Sequence, residues 1–340
     1  MIQLDSRFLP KKLASNLLQK FIPEIRKRIF STYGVETPTV HWSEYDADDS
    51  ELLGYRLLVN GVLRVTNYVQ RNRRLFVGSV EELRARGVVG LEALRPDGVG
   101  SAYWISEPDW KKVDEFNLWE LAEYPARHLE RFLVKHLASF VGHEEVERLL
   151  KATKDQMQEK ASIPDTSITD LLIVVRALLS ERVPIAPFEL VKSEFIRSRA
   201  RGVPLADITR SVRQLAPMRS RLWGNDGRYL LRPISRKFEQ ELQNRLRQSD
   251  DVATLEIEPE FYWNVRDSLT RSLIDSVRQA ILVRRQELRP LVREMIADEF
   301  PETPVLSTAE LSLGVIARIG SDLEFLTTGS INSRPETVGT

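Results

Sequence analysis

Cysteine is absent from the 340-residue chain. That absence excludes a disulfide framework, a thiolate zinc site, a cysteine nucleophile and an iron–sulfur cluster. Histidine is scarce, at His41, His128, His136 and His143. The last three are spaced by eight and seven residues, so on one helix neighbours would lie about 10 to 12 Å apart, too far to share an ion. They read as partly exposed structural residues, and no metal is expected. Net charge is also missing: 49 Lys and Arg balance 49 Asp and Glu, so the whole-protein field selects no partner. Long apolar runs are lacking too. The richest, at 171–179, is interrupted by Arg176 and falls far short of the roughly 20 residues of a membrane span. The opening MIQLDSRFLPKK has no apolar h-region, which argues against a secretory signal and for a cytoplasmic protein.

Chemical signatures are missing in the same way. There is no phosphate loop, no dinucleotide-binding glycine pattern, no nucleophile elbow and no H-E-x-x-H. The glycine clusters at 87–100 and 224–227 lack the lysine and helix entry that phosphate binding uses, and they read as turns. The acidic run Glu44, Asp46, Asp48, Asp49, Glu51 lacks the glycine and terminal glutamate of a calcium loop and reads as solvated. The chain is therefore expected to be a non-enzyme with no cofactor.

What is present is a soluble-globular composition, 42% hydrophobic and 29% charged, long enough for two to three domains. Leu13, Leu17, Leu18, Phe21, Ile22 and Ile25 recur at helical spacing over 13–33, with Gly34 placed to cap the end. Residues 37–42 read as a short strand. Residues 55–59 and 62–68 are β-prone runs joined by Asn60-Gly61, which predicts a hairpin. A strand at 74–77, a helix at 80–86, a glycine-rich connection at 87–100 with a turn at Arg95-Pro96-Asp97-Gly98, and a strand at 103–105 read as a small inserted unit. From Ala126 the chain turns helical, with Leu129, Phe132, Leu133, His136, Leu137 and Phe140 on one stripe. Helices follow at 144–160, 167–182, 188–200 and 205–215. Strands at 229–233, 253–257, 279–283 and 303–307 then alternate with helices at 236–247, 259–277 and 287–299, the pattern of an α/β domain. A polar tail at 327–340 reads as disordered.

Charge is unevenly placed even though it sums to zero. Residues 190–247 hold fourteen basic residues against five acidic, while 44–51 and 107–123 are acidic. Three readings stand: wet helix faces, basic and acidic faces that meet between neighbouring copies in a ring, or attraction of an acidic partner or nucleic acid. Nucleic acid is the least supported, because Phe195, Trp223, Tyr229 and Phe238 are spaced like core residues and no recognition motif accompanies them.

Several strings in a fixed order resemble one family. They are the opening helix with Gly34 and then Pro38-Thr39-Val40, the hairpin YRLLVNGV at 55–62, AYWI at 102–105, and ARHL at 126–129. GHEEV at 142–146, LLSERVPI at 178–185, LRPL at 288–291, and VLS at 305–307 before Glu310-Leu311 complete the series. Over residues 3–326 the chain resembles the cytosolic carboxyl-terminal half of the FHIPEP family, the flagellar and injectisome export-gate proteins, on the injectisome side. The resemblance implies a mixed α/β fold (α+β) of four subdomains with the second inserted in the first. These would be subdomain 1 at 1–72 and 118–141, a small α/β subdomain 2 at 73–117, a helical subdomain 3 at 142–216, and an α/β subdomain 4 at 217–326. It further implies a nine-fold ring below an inner-membrane channel that receives secretion chaperones with their cargo.

Family members carry a membrane half ahead of this domain, and the chain here has no such spans. It is expected to act from the cytoplasm, recruited to the inner face of the inner membrane. In flagellar members an apolar dimple between the first two subdomains takes the chaperone. The matching positions are Arg95, Gly98 and Val99, together with Arg127 of ARHL. A hollow lined by two arginines would be costly to close on an apolar partner, so the expected occupant is an acidic protein surface: a chaperone, cargo or export-apparatus component. The competing expectation is a repurposed stand-alone scaffold or regulator that binds an acidic partner or nucleic acid through 190–247.

Overall fold

The computed structural model describes residues 1–8, 17–46, 52–96, 101–154, 167–215, 230–248, 253–255, 259–273, 279–297, 300, 303–311, 318–319 and 323. It divides into two compact units, Met1–Glu189 and Leu190–Thr340.

The first unit opens with strand β1 (Ile2–Asp5). A π-helical turn at Leu17–Phe21 leads into helix α1 (Ile22–Tyr33), which buries Ile22, Ile25 and Ile29. Gly34 ends α1 at φ +82°, where a Cβ would sit 2.8 Å from the Cβ of Ala186. Glycine is required there by both backbone and space.

The strand expected at 37–42 is instead β2, Trp42–Tyr45. Pro38 has no N–H to give a ladder, and β1 pairs in parallel with 42–45, with Ile2 opposite Trp42. Strands β3 (Leu52–Val59) and β4 (Val62–Gln70) form the predicted hairpin. Its turn residues Asn60 and Gly61 both have positive φ, 50° and 80°. The sheet order is β2-β1-β3-β4. Ile2, Leu4, Tyr55 and Leu57 face the core and are buried.

A second sheet follows in the same unit. Strand β5 (Arg73–Val77), helix α2 (Val80–Ala85), and strands β6 (Leu91–Ala93), β7 (Ala102–Ser106) and β8 (Leu118–Trp119) give the order β6-β7-β5-β8. A capping box between Ser79 and Glu82 starts α2. β6 lies inside what the sequence presents as a glycine-rich connection, and the turn expected at 95–98 falls partly outside the described residues. One face of this sheet holds Phe76, Leu83, Val88, Ile105 and Leu118. The other carries Leu75, Trp104 and Trp119, which are cross-strand partners in one row.

Helix α3 (Glu123–Lys135) and the short α4 (Leu137–Phe140) replace the single stripe expected from 126 to 140, with the break at His136. α5 (His143–Lys154) and α6 (Ile168–Ser180) complete the unit. α6 buries Leu171, Leu172, Val174, Val175, Leu178 and Leu179.

Helix α7 (Phe188–Arg199) spans the boundary and α8 (Leu205–Gln214) belongs to the second unit. There follow β9 (Leu230–Pro233), α9 (Arg236–Arg245), β10 (Leu246–Gln248), β11 (Ala253–Leu255), α10 (Pro259–Leu273), β12 (Gln279–Val283), α11 (Arg289–Ile296), β13 (Val305–Ser307) and β14 (Arg318–Ile319). Strands β13-β12-β9-β14 form an all-parallel sheet. Ile281 and Val283 pack into one cluster, Ala280 and Leu282 into another. A parallel sheet buried on both faces is what a strand and helix alternation produces. Helix 236–247 is shorter than its sequence suggests, because 246–248 pairs with 253–255 in a ribbon. The tail at 327–340 lies outside the described residues.

Candidate functional site

In Met1–Glu189, helix α3 brings the expected arginine to a tryptophan. The Arg127 guanidinium lies 5.5 Å from the centre of the Trp119 ring, and Arg95, just beyond β6, lies 5.3 Å from the same ring. Trp119 itself is 8% exposed. Two cations on one indole gain from its π face, while the ring supplies the apolar floor between them.

Arg127 is engaged by carboxylates of its own helix. Arg127 Nη2 is 2.9 Å from Glu123 Oε1, and its Nη1 is 3.7 Å from Glu130 Oε2. Glu130 also receives both Nε and Nη2 of Arg28 from α1, at 2.5 and 2.8 Å. The spacings 123/127 and 127/130 place these charges on one helix face. Arg127 remains 37% exposed and its carboxylate partners under 20%, so the cation is the more available group.

The loop after β6 is tied to the same helix. Tyr124 donates its hydroxyl to the Leu94 carbonyl at 2.9 Å, and Arg131 donates Nη1 to the Pro96 carbonyl at 3.4 Å. Leu94 itself is 87% exposed. Val99, the third expected site residue, and Gly98 lie outside the described residues.

Behind the arginines runs an aromatic bridge between the two sheets. Trp104 packs on Tyr124 at 5.2 Å, Tyr124 on Tyr55 at 6.3 Å edge-on, and the Tyr55 hydroxyl shares a 2.6 Å hydrogen bond with His128 Nδ1. Burial, reinforced by Arg131, pushes His128 down to about 4, and burial pushes Tyr55 well above its usual value. His128 is thus a neutral bridge member at physiological pH, more than the partly exposed residue its spacing suggests.

The sequence pointed to Arg95 and Arg127 but gave no sign of Trp119 or Tyr124. Glu130 stands at helical spacing from Arg127, whereas Glu123 lies ahead of the helix expected from Ala126 and joins it because α3 begins at Glu123. Trp119 was not, because its cationic neighbour Arg95 is 24 positions away on another element.

The basic segment 190–247 is partly spent inside the fold. Arg213 is 2% exposed and pairs with Glu310 at 2.5 Å; Arg197 pairs with Glu194, and Arg210 with Asp207 at 2.5 Å. Lys192 is buried. Among the described residues no group of three His, Asp or Glu side chains could hold a metal ion, and no helix is long and apolar enough to cross a membrane.

The FHIPEP family model matches residues 2–315, nearly the whole described chain. The chain belongs to the FHIPEP family. Invasion protein InvA of Salmonella typhimurium is 22% identical over 315 residues, covering 89% of this chain and 45% of InvA. This FHIPEP chain therefore spans about half the length of the curated relatives it matches. Among solved structures, the CdsV protein of Chlamydia pneumoniae is 18% identical with a TM-score of 0.77 over 95% of this chain and 96% of its own. CdsV solved together with CdsO gives 17%, 0.75, 94% and 96%. The nonameric EscV cytosolic domain from the type III secretion system gives 16%, 0.69, 95% and 96%. The fold is that of the cytosolic domains of type III secretion export-gate proteins.

Proposed function

We propose that this FHIPEP chain is a non-catalytic protein-docking module on the cytosolic side of a type III secretion apparatus. It assembles with copies of itself into a nine-membered ring and receives a chaperone, cargo or export-apparatus protein at the Arg95–Trp119–Arg127 surface. The likeness to a nonameric domain and to a chain solved with CdsO supports partners that are proteins. The observation that carries the docking site is the convergence of two part-exposed guanidiniums on a buried indole, with exposed Leu94 beside them. Tryptophan and arginine are the residues that anchor interfaces most often. An acidic, partly apolar segment of the partner satisfies both components: its carboxylates compete with Glu123 and Glu130 for Arg127, and its apolar side chains cover Leu94.

The same proposal keeps the four-subdomain layout, with 73–117 inserted between 1–72 and 118–141, then 142–216 and 217–326. The separate sheet and cluster of β5–β8 support the inserted unit, though β8 pairs with β5 and extends that sheet to residue 119. The nucleic-acid reading of 190–247 loses support from the ion pairs that consume Arg197, Arg210 and Arg213.

The double reversal Arg95→Glu/Arg127→Glu tests the site. In affinity capture from the native cytosol, the variant loses secretion-system proteins that the wild type retains, with unchanged circular dichroism. Retention of every wild-type partner at equal yield would contradict the proposal.

A further inference from the structure

Residues 52–80 contain Arg56, Arg64, Arg71, Arg73 and Arg74 and no Asp or Glu. This stretch spans the hairpin whose second strand, β4, is the outer strand of its sheet. Among the described residues β4 pairs with β3 alone, through Leu52 opposite Gln70 to Val59 opposite Val62, and the one irregularity falls near the turn, between Leu57 and Leu58. From Val65 onward the strand is regular. Its outer rim is a nine-residue row in which alternate N–H and C=O groups face away from β3.

Natural edges of this length are usually shortened, broken by proline or covered. β4 has no proline, and Val62, Leu63 and Tyr68 are 53%, 50% and 49% exposed. Thr66 and Tyr68 lie opposite Arg56 and Gly54 on the sheet face turned away from the core. That face is pre-set: the Arg56 guanidinium rests 4.1 Å from the Tyr45 ring centre. A Cβ on Gly54 would strike the Tyr45 hydroxyl at 2.1 Å. Exposed Arg64, skipped by the register between Leu63 and Val65, and exposed Arg71, just past the strand, stand at the two ends of its regular part.

We propose that the β4 edge is a second docking site, which takes an extended acidic segment of a partner protein as an added antiparallel strand. Main-chain hydrogen bonds to the regular stretch Val65–Gln70 supply the pairing, and carboxylates toward the two ends of the added strand come beside Arg64 at the bulge and Arg71 just past the strand. The charge pattern selects this occupant. A second copy pairing β4 to β4 would gather Arg64 and Arg71 of both copies along one seam with no carboxylate from 52–80 between them, and a phosphodiester backbone has no N–H to match the strand's carbonyls. The site is separate from the Arg95–Trp119–Arg127 surface and does not depend on it.

The test uses the whole 340-residue chain and a fluorescein-labelled ten-residue peptide of alternating Glu and Val, followed by anisotropy. The peptide is expected to bind and to slow amide exchange at 62–70. The same peptide N-methylated at alternate residues keeps its charge but cannot pair, and is expected to bind at least tenfold more weakly. Arg64→Glu/Arg71→Glu is expected to weaken binding of the unmodified peptide at least tenfold, and the N-methyl arm needs no variant at all. Equal affinity of the two peptides, or unchanged exchange at 62–70, would overturn the proposal. So would full displacement of the peptide by a single-stranded oligonucleotide of equal charge, which would make the site a general polyanion patch. Concentration-dependent dimerisation that protects 62–70 without peptide would assign the edge to a second copy instead.

Discussion

Arginine does opposite work in the two units. In Met1–Glu189, Arg127 is 37% exposed, stacked with Arg95 on Trp119 and shared between two carboxylates. In Leu190–Thr340, Arg213 and Arg289 are each 2% exposed around one carboxylate, Glu310. Glu310 also accepts from the Ser307 N–H at 2.7 Å and the Ser307 hydroxyl at 3.1 Å. Burial alone would raise its carboxyl, but Arg213, Arg289 and Ser307 together hold it below the usual range; burial draws Arg289 down. The buried cluster cannot exchange partners without exposing a dry charge, so it fixes the β13 end of the parallel sheet. The exposed pair can change partners at little cost, because surface pairing is worth only about 0 to 1 kcal/mol. The difference suits the buried cluster to stability and the exposed pair to the proposed docking.

The largest effect should come from breaking the buried side. Glu310→Gln removes the carboxylate that Arg213 and Arg289 share, and should cost about 3 to 5 kcal/mol in urea denaturation. A loss below about 1 kcal/mol would mean that the second unit is not held together at this point. Next comes the aromatic bridge. His128 is neutral when folded, with a value near 4 against about 6.5 unfolded. The stability it contributes is therefore complete above pH 6.5 and is lost as pH falls toward 4, by about 3 kcal/mol. His128→Gln should flatten that part of the pH profile, and an unchanged slope would remove His128 as its cause. Smaller again is the floor of the exposed site: Trp119→Leu should lower stability by about 1 to 2 kcal/mol while weakening partner capture. The smallest is the charge itself. Arg95→Glu/Arg127→Glu should shift the urea midpoint by less than the equivalent of about 1 kcal/mol, and a shift as large as that of Glu310→Gln would erase the contrast between the two clusters.

What could be read from the sequence was local. The Asn60-Gly61 hairpin, the Gly34 cap and the five-residue strand Gln279–Val283 each declare themselves within a few residues. β1 does not: Ile2–Asp5 becomes a strand because it fits between 42–45 and 55–57, segments about 40 and 50 positions away. β8 is two residues long, and only its partner Leu75–Phe76 makes it a strand. The site divides along the same line. Arg127 with Glu130 follows helical spacing, while Glu123 joins them only because α3 begins ahead of Ala126. The Trp119 floor and the tether from Tyr124 to Leu94 arise only when the two sheets close on α3.

The most direct test places a photo-crosslinking residue at Leu94, the exposed position beside the paired arginines, in the otherwise wild-type chain and in the Arg95→Glu/Arg127→Glu background. The account predicts a crosslinked adduct with a secretion-system protein that disappears in the double variant. An adduct of undiminished yield in that background would show that the arginines on Trp119 do not hold the partner.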